Sequence, residues 1–486
     1  MTYDKIRRSA SGARQGGDDY QHLVAWNRIL RALLPHRQLL EVELEAVGAG
    51  NVDDVVVHYQ STPSQYAQVR YAVYGTTPLN SGYLLDRTER RLSMLQKFHK
   101  SFDNLRSMGS PELILITNRL VDPTDPVLTA LDSRTGLLVP AMATAGVQTP
   151  LGTTRAAWAA HLECHEDALV DLMGSLQFWL GRPYGAEEQY ASDYMAAHGL
   201  RYDLPAVRLG IDRVRRWVLD GFRKLSAATI TDGIAELGIE VGDPAAILHV
   251  QALLRDPTAT DATEALDWVD LFAGSQPAER RATIDPDAYV RVMQPGLEAA
   301  AERLIAAGHH RVVIRGATRL ASSFAVGAML PRVRNLELSR HQGAAHWTTD
   351  AEPREPRPEL TSTVTDVGKG NDLGVVLGIA TDHTRAVLKF IESAGLSIKA
   401  ALTITPSRGP DDTFVRDDHD AVAITQEVRR LTRMALGDRT EVNVHLFLAC
   451  PAALATILGH RWNRVAPTIV YEDIITGYQP AFRIAA

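Results

Sequence analysis

Residues 52–71, VDDVVVHYQSTPSQYAQVRY, constrain the fold more than any other stretch of the chain. Two runs rich in β-branched and aromatic residues flank a Ser-Thr-Pro-Ser turn, which reads as a β-hairpin. Strand alternation places Asp54, Val56 and His58 on one face of the first run, and Gln68 and Arg70 together on one face of the second. A carboxylate and an amide oxygen are the hard ligands that Mg2+ takes, and a cation beside them offsets charge growing on a phosphate. That is the layout of a metal-dependent phosphodiesterase. A solvated edge hairpin carries the same residue types, so the pattern alone leaves both readings open. Alternation favours Asp54 over Asp53 as metal ligand only for an unbulged strand, and both stay candidates. The upstream strand LLEVELEAV adds Glu41, Glu43 and Glu45 as candidate acids.

At 486 residues the chain is too long for one compact core, so two or three domains are expected. A net charge of −7 excludes a global basic field, and any contact with nucleic acid must come from a local patch. Cys164 and Cys450, far apart and alone, exclude a disulfide framework and fit a reducing compartment. The polar start has no apolar core and no run approaches a membrane-spanning length, so a cytoplasmic protein with no membrane partner is expected.

Before the hairpin, GGDDYQHLVAWNRILRALL reads as a helix with Tyr20 and Gln21 in its first turn. After it, a long helix from about Asp86 repeats Leu92, Leu95 and Phe98 in phase, and ELILITNRL follows as a buried strand. Arg87, Arg90, Arg91, Lys97 and Lys100 on that helix read as a solvated face or as phosphate contacts. Residues 151–280 show helical apolar spacing throughout and are expected to form a connector. From residue 281 strands alternate with helices, which implies a mostly parallel sheet. Thr318, Arg319, Ser322 and Ser323 fall at one strand-to-helix turn, and Thr381, Asp382, His383 and Thr384 at another. Such turns offer helix amino-terminal N–H groups to anions. No GxGxxG or Walker A pattern accompanies them, so neither a dinucleotide coenzyme nor an NTPase is supported.

The order helix, three strands, helix, strand resembles the restriction-endonuclease-like fold. With its GG…YQ helix, DD-apolar strand and Q-x-basic strand, it is similar to the amino-terminal nuclease of CBASS anti-phage effectors. That resemblance implies that Asp54 holds the metal, Mg2+ or Mn2+, and that Gln68 takes the Glu/Gln position. Glu43 and Gln21 are further catalytic candidates. Arg70 stands where the family has lysine: it keeps the charge but is larger, planar and unable to give up a proton.

HRVVIRGATRLASSFAVGAML, VNVHLFLACPAALATILGHRWNRVAPTIVYE and the closing GYQPAFRI resemble the SAVED domain, a fusion of two CARF-like units that binds cyclic oligonucleotides. The resemblance implies phosphate contacts from Arg319 and Ser322, with Thr318 and Thr381 at the two turns. It implies base stacking on Trp347, which reads equally as a buried core anchor, and a pocket lined by the backbone of Pro451 and Ala452. The fold class expected is therefore a multidomain α/β protein. It comprises a restriction-endonuclease-like nuclease core (1–150), a helical connector (151–280) and a SAVED domain of two CARF-like Rossmann halves (281–486). By resemblance, a CD-NTase partner makes a cyclic di- or trinucleotide, whose binding drives homo-oligomerisation and metal-dependent, largely non-specific cutting of double-stranded DNA. The alternative is a cyclic-nucleotide-binding module whose nuclease, with Arg70 for lysine, is inactive.

Overall fold

The computed structural model describes residues 10–50, 52–73, 77–87, 91–439 and 441–485. The chain divides into two compact units, Met1–Pro244 and Ala245–Ala486. This single division falls at neither expected boundary.

The first unit is built on one mixed sheet. Its strands are β1 (Leu39–Leu44), β2 (Val55–Tyr59), β3 (Gln65–Arg70), β4 (Glu112–Thr117), β5 (Leu176–Trp179) and β6 (Lys224–Ser226). They lie in the order β5-β4-β3-β2-β1-β6. The hairpin forms as the sequence predicts, with Val55 opposite Ala67 and Val57 opposite Gln65. Helix Ala10–Ala32 packs on β1, β2 and β3 and buries Tyr20, Leu23, Val24, Trp26, Ile29 and Leu30. Antiparallel strands can be joined by tight turns, but parallel neighbours need a crossover. Helix Met94–Leu105 supplies it between β3 and β4, burying Leu95, Phe98, Phe102 and Leu105. That helix starts later than expected because Ser93 and Gln96 form a reciprocal capping box, which fixes the first turn at Met94. Arg87 and Arg91 therefore precede it, and Arg90 lies outside the described residues.

The expected connector does not stand apart. Its helices Pro150–Leu162 and Glu166–Ser175 lead into β5, which pairs parallel with β4. Farther on, β6 pairs antiparallel with β1 and becomes the opposite edge of the same sheet.

The second unit holds two sheets. The first contains β7 (Ala246–Gln251), β8 (Glu264–Asp267), β9 (Arg311–Arg315), β10 (Glu337–Gln342) and β11 (Ala345–Thr348), ordered β11-β10-β9-β7-β8. All are parallel except β11. Because β7 and β8 belong here, the α/β region begins some 35 residues before the expected 281. The second sheet contains β12 (Leu360–Asp366), β13 (Asp372–Gly378), β14 (Ile398–Pro406), β15 (Val444–Ala449), β16 (Thr468–Asp473) and β17 (Tyr478–Ile484). Its order is β12-β14-β13-β15-β16-β17, with a parallel centre and antiparallel edges.

One apolar core joins the two sheets of this unit. Helix Leu320–Met329, after β9, packs against helix Ala452–His460, after β15. A Cβ on Gly327 would meet the Thr456 carbonyl oxygen at 2.0 Å, and one on Gly459 the Phe324 carbonyl oxygen at 2.0 Å. Glycine at both positions permits this approach, which clamps the two strand-helix units together.

Candidate functional site

Continuing the β2–β3 register by one residue sets Asp54 across from Gln68. The Gln68 amide donates to Asp54 Oδ2, which also accepts from Val69 N at 2.6 Å. Gln21 Nε2, carried on the first helix, reaches Asp54 Oδ1 at 3.3 Å. Burial pushes Asp54 up to about 6, against the Val69 N–H and the charge of Arg70, which pull it down. The structure thus brings Asp54, Gln68 and Gln21 into one hydrogen-bonded cluster, with Arg70 in electrostatic reach. Asp53 instead gives its backbone carbonyl to Ala46 N at 2.8 Å, and its charge adds to the rise at Asp54.

Glu43 does not join this cluster. Strand β6 sets Lys224 opposite Glu43, and the Glu43 carboxylate lies 3.2 Å from Lys224 Nζ and 3.0 Å from His58 Nε2. Glu41 shares Lys224 at 3.3 Å, and Glu45 pairs with Arg223. Glu41 and Glu43 thus share one cation, Lys224, on a strand the sequence pattern did not reveal.

The donor set at Asp54 fits a hard divalent cation. The Asp54 carboxylate and the Gln68 amide oxygen are both oxygen donors. One or two protein ligands suffice for Mg2+, which keeps several waters.

In the second unit, both helix amino-termini at the glycine clamp are occupied by the chain itself. The buried Glu472 carboxylate accepts from Ala321 N at 3.0 Å and from Arg319 Nε at 3.2 Å. Burial raises its pKa, against the lowering charge of Arg319. Gln342 Oε1 accepts from Ala453 N at 3.2 Å, next to Pro451 and Ala452. Arg319, expected to meet a phosphate, is thus held by an internal carboxylate. Ser322 is fully buried with no hydrogen-bond partner for its hydroxyl. Thr318 and Ser323 bond each other at 2.8 Å.

Sequence reasoning missed Arg340. It is buried on β10 and donates to Thr318 Oγ1 and Ser323 Oγ, both at 3.0 Å, and to Thr456 Oγ1 at 3.3 Å. Burial among neutral partners pushes it down to about 10. The available signal was alternation in LELSRHQ, which puts Arg340 on the same face as Leu338. Trp347 is only 4% exposed and packs in the core. It presents no face for a base to stack on in this conformation. Its neighbour across the β10–β11 pair is Arg340, so inward alternation at both positions accounts for its burial.

Thr381 lies elsewhere, in a crevice of about 1010 Å3 lined also by Ala380, Ser407, Arg408, Thr413 and Arg416. This crevice opens past the carboxyl ends of β13 and β14, where open α/β sheets take their ligands.

The family model described as "SMODS-associated and fused to various effectors sensor domain", SAVED, matches residues 295–484. CD-NTase-associated protein 4 of Enterobacter hormaechei subsp. hoffmannii (strain UCI 50) is 25% identical over 147 residues, which are 29% of this chain and 29% of that protein. The match thus spans less than a third of that relative's length. An Acinetobacter baumannii Cap4 SAVED/CARF-domain containing receptor, solved with 3'3'3'-cAAA, is 13% identical with TM-score 0.43, covering 99% of this chain and all of that one. The corresponding Moraxella osloensis receptor is 14% identical with TM-score 0.38, covering 97% of this chain and all of that one.

Proposed function

We propose that the chain is a CBASS anti-phage effector: a cyclic di- or trinucleotide bound by the second unit switches on metal-dependent cutting of double-stranded DNA by the first. One observation carries the reading. A buried carboxylate facing Gln-x-Arg on the neighbouring strand shares a chain with a SAVED sensor domain, and that family is described as fused to effectors.

Asp54 and Gln68 would hold Mg2+ or Mn2+, which when bound supplies Lewis-acid stabilisation and a more acidic water. The chain's own residues do the rest. The N–H donors of Gln68 and Val69 fix the Asp54 carboxylate in one orientation, and Gln21 locks it from the helix side. Arg70 offsets charge gathering on the phosphate, but its guanidinium does not accept a proton, so it orients water rather than deprotonating it. Two such sites are needed to cut both strands, which suits a silent protomer that acts once a CD-NTase product has driven it to associate.

The crevice at Thr381, Arg408 and Arg416 is the ligand site in this reading. A phosphate that reached Arg319 would have to displace the Glu472 carboxylate, so an internal anion holds that half-site closed. Isothermal titration of the full chain with a panel of cyclic di- and trinucleotides tests this. One ligand should saturate, and Thr381→Val with Arg408→Ala should weaken it by about tenfold or more. A chain that binds none of them sinks the sensor assignment.

Arg70 favours a second reading, a sensor whose nuclease is inactive. Restoring lysine there separates the two, since an inactive natural site would gain cutting and an active one would not.

A further inference from the structure

The second unit carries a concentration of cations on the side opposite its ligand crevice. Helix Asp418–Leu436 bears Arg429 and Arg433 one turn apart. Arg429 Nη2 donates to the Asn463 carbonyl at 3.0 Å, and Arg433 Nη2 to the Arg464 carbonyl at 2.9 Å. Arg439 donates to the Leu436 carbonyl at 3.1 Å and the Asn371 carbonyl at 3.4 Å. Arg461 donates to the Thr349 carbonyl at 2.5 Å. Among the described residues, none of these four forms an ion pair with a carboxylate, and Arg464 makes neither an ion pair nor a side-chain hydrogen bond. Carbonyls take up part of each guanidinium's donors without neutralising its charge.

Arg433, Arg439 and Arg464 line a recess of about 620 Å3 with Glu441 and Asn443, beside the amino-terminal ends of β15 and β16. Three cations there face one carboxylate. Arg461 is only 6% exposed, so it adds to the field of this face and not to its contact surface; burial, with Arg332 and Arg429 and against the charge of Asp350, pushes it down to about 10. On a chain of net charge −7, phosphate attraction must come from such a patch.

We propose that this recess and its rim bind the phosphate backbone of double-stranded DNA. The cations sit on a helix, the turn after it and the 461–467 loop, spread along an open face rather than converging on one point. That arrangement suits a row of phosphates. Guanidiniums already tethered to carbonyls lose little side-chain freedom on binding, which favours contact at low cost in entropy. The site positions duplex without reading its sequence. The inference rests on the nuclease reading for its purpose, but DNA binding can be measured without cutting.

The test is fluorescence anisotropy of a labelled 20-base-pair duplex with the full chain in EDTA, across a salt series. Arg464→Glu, at an exposed side chain that makes no internal bond, should weaken binding by about tenfold and flatten the salt dependence. Arg433→Gln, Arg439→Gln and Arg464→Gln combined should lower the slope of log K against log salt by about 2.7, or 0.9 per lost phosphate contact. Cyclic-nucleotide affinity should be unchanged in both variants. Unaltered affinity and slope in Arg464→Glu would overturn the proposal. So would loss of cyclic-nucleotide binding with duplex binding intact, or competition by pyrophosphate as strong as by unlabelled duplex. A failed nuclease would show separately, as intact duplex binding with no cutting when Mg2+ is supplied.

Discussion

Replacing Asp54 by asparagine should stabilise the first unit, and the gain should depend on pH. Asp54 titrates near 6 rather than its ordinary 3.8 because burial opposes its charge. That is about two pH units, each worth about 1.36 kcal/mol, so the ionised carboxylate costs about 3 kcal/mol of folding free energy. The folded state holds this proton more tightly than the unfolded chain. Below about pH 4 both are protonated and nothing is lost. Stability then falls as pH rises from about 4 to about 6, and the full cost stands above that. Asparagine keeps an acceptor for Val69 N–H without the charge. Asp54→Asn should therefore gain about 1–3 kcal/mol at pH 8 and only about a third of that at pH 4.5, where the loss has just begun. For a unit of this size that is about 2–4 °C in Tm per kcal/mol. Urea melts of both proteins at pH 4.5, 6 and 8, without divalent ions, measure it. Added Mg2+ at pH 8 should then stabilise the wild type and leave the variant unmoved. A variant no more stable at pH 8 than the wild type, or a difference independent of pH, would refute the reasoning.

Three other outcomes are expected. Arg70→Lys should leave ligand-activated, Mg2+-dependent cutting of a plasmid substrate within about threefold of the wild type, because arginine already offsets the phosphate charge and orients the water, whereas a gain of about tenfold or more would mark the natural site as inactive. Gly459→Ala drives a methyl into the Phe324 carbonyl oxygen and should cost about 1–3 kcal/mol in thermal unfolding of the second unit, with Gly327→Ala similar. Glu472→Gln removes the internal anion from Arg319, opens that half-site to a phosphate, and should tighten cyclic-nucleotide binding by about tenfold in calorimetry.

Much of the first unit was legible because its signals are local. The hairpin's β-branched runs and the turn between them sit within twenty residues, and alternation alone aligned Asp54 with Gln68. The strands β5 and β6 were not legible. They are four and three residues long, and each pairs with a strand far away in sequence. Lys224 could not be foreseen as the partner of Glu43 for the same reason. In the second unit the two strand-helix turns announced themselves through small and hydroxyl residues. What fills them did not: Glu472 lies 153 residues from Arg319, and no periodicity links them. Trp347 shows the limit of residue type as a guide. An aromatic in a polar stretch suited stacking, but alternation against Arg340 turned it inward. The domain boundaries were misplaced because residues 151–280 mix helices with the short strands that complete both neighbouring sheets.

The central claim is that one ligand-binding event at the second unit releases chemistry at Asp54. Plasmid cleavage by the full chain in Mg2+, with each of a panel of cyclic di- and trinucleotides, tests it most directly beside Asp54→Ala. The account predicts cutting with one ligand, none without it, and none in the variant with that ligand bound. Cutting that persists in Asp54→Ala, or that is equal with and without every ligand, would contradict it.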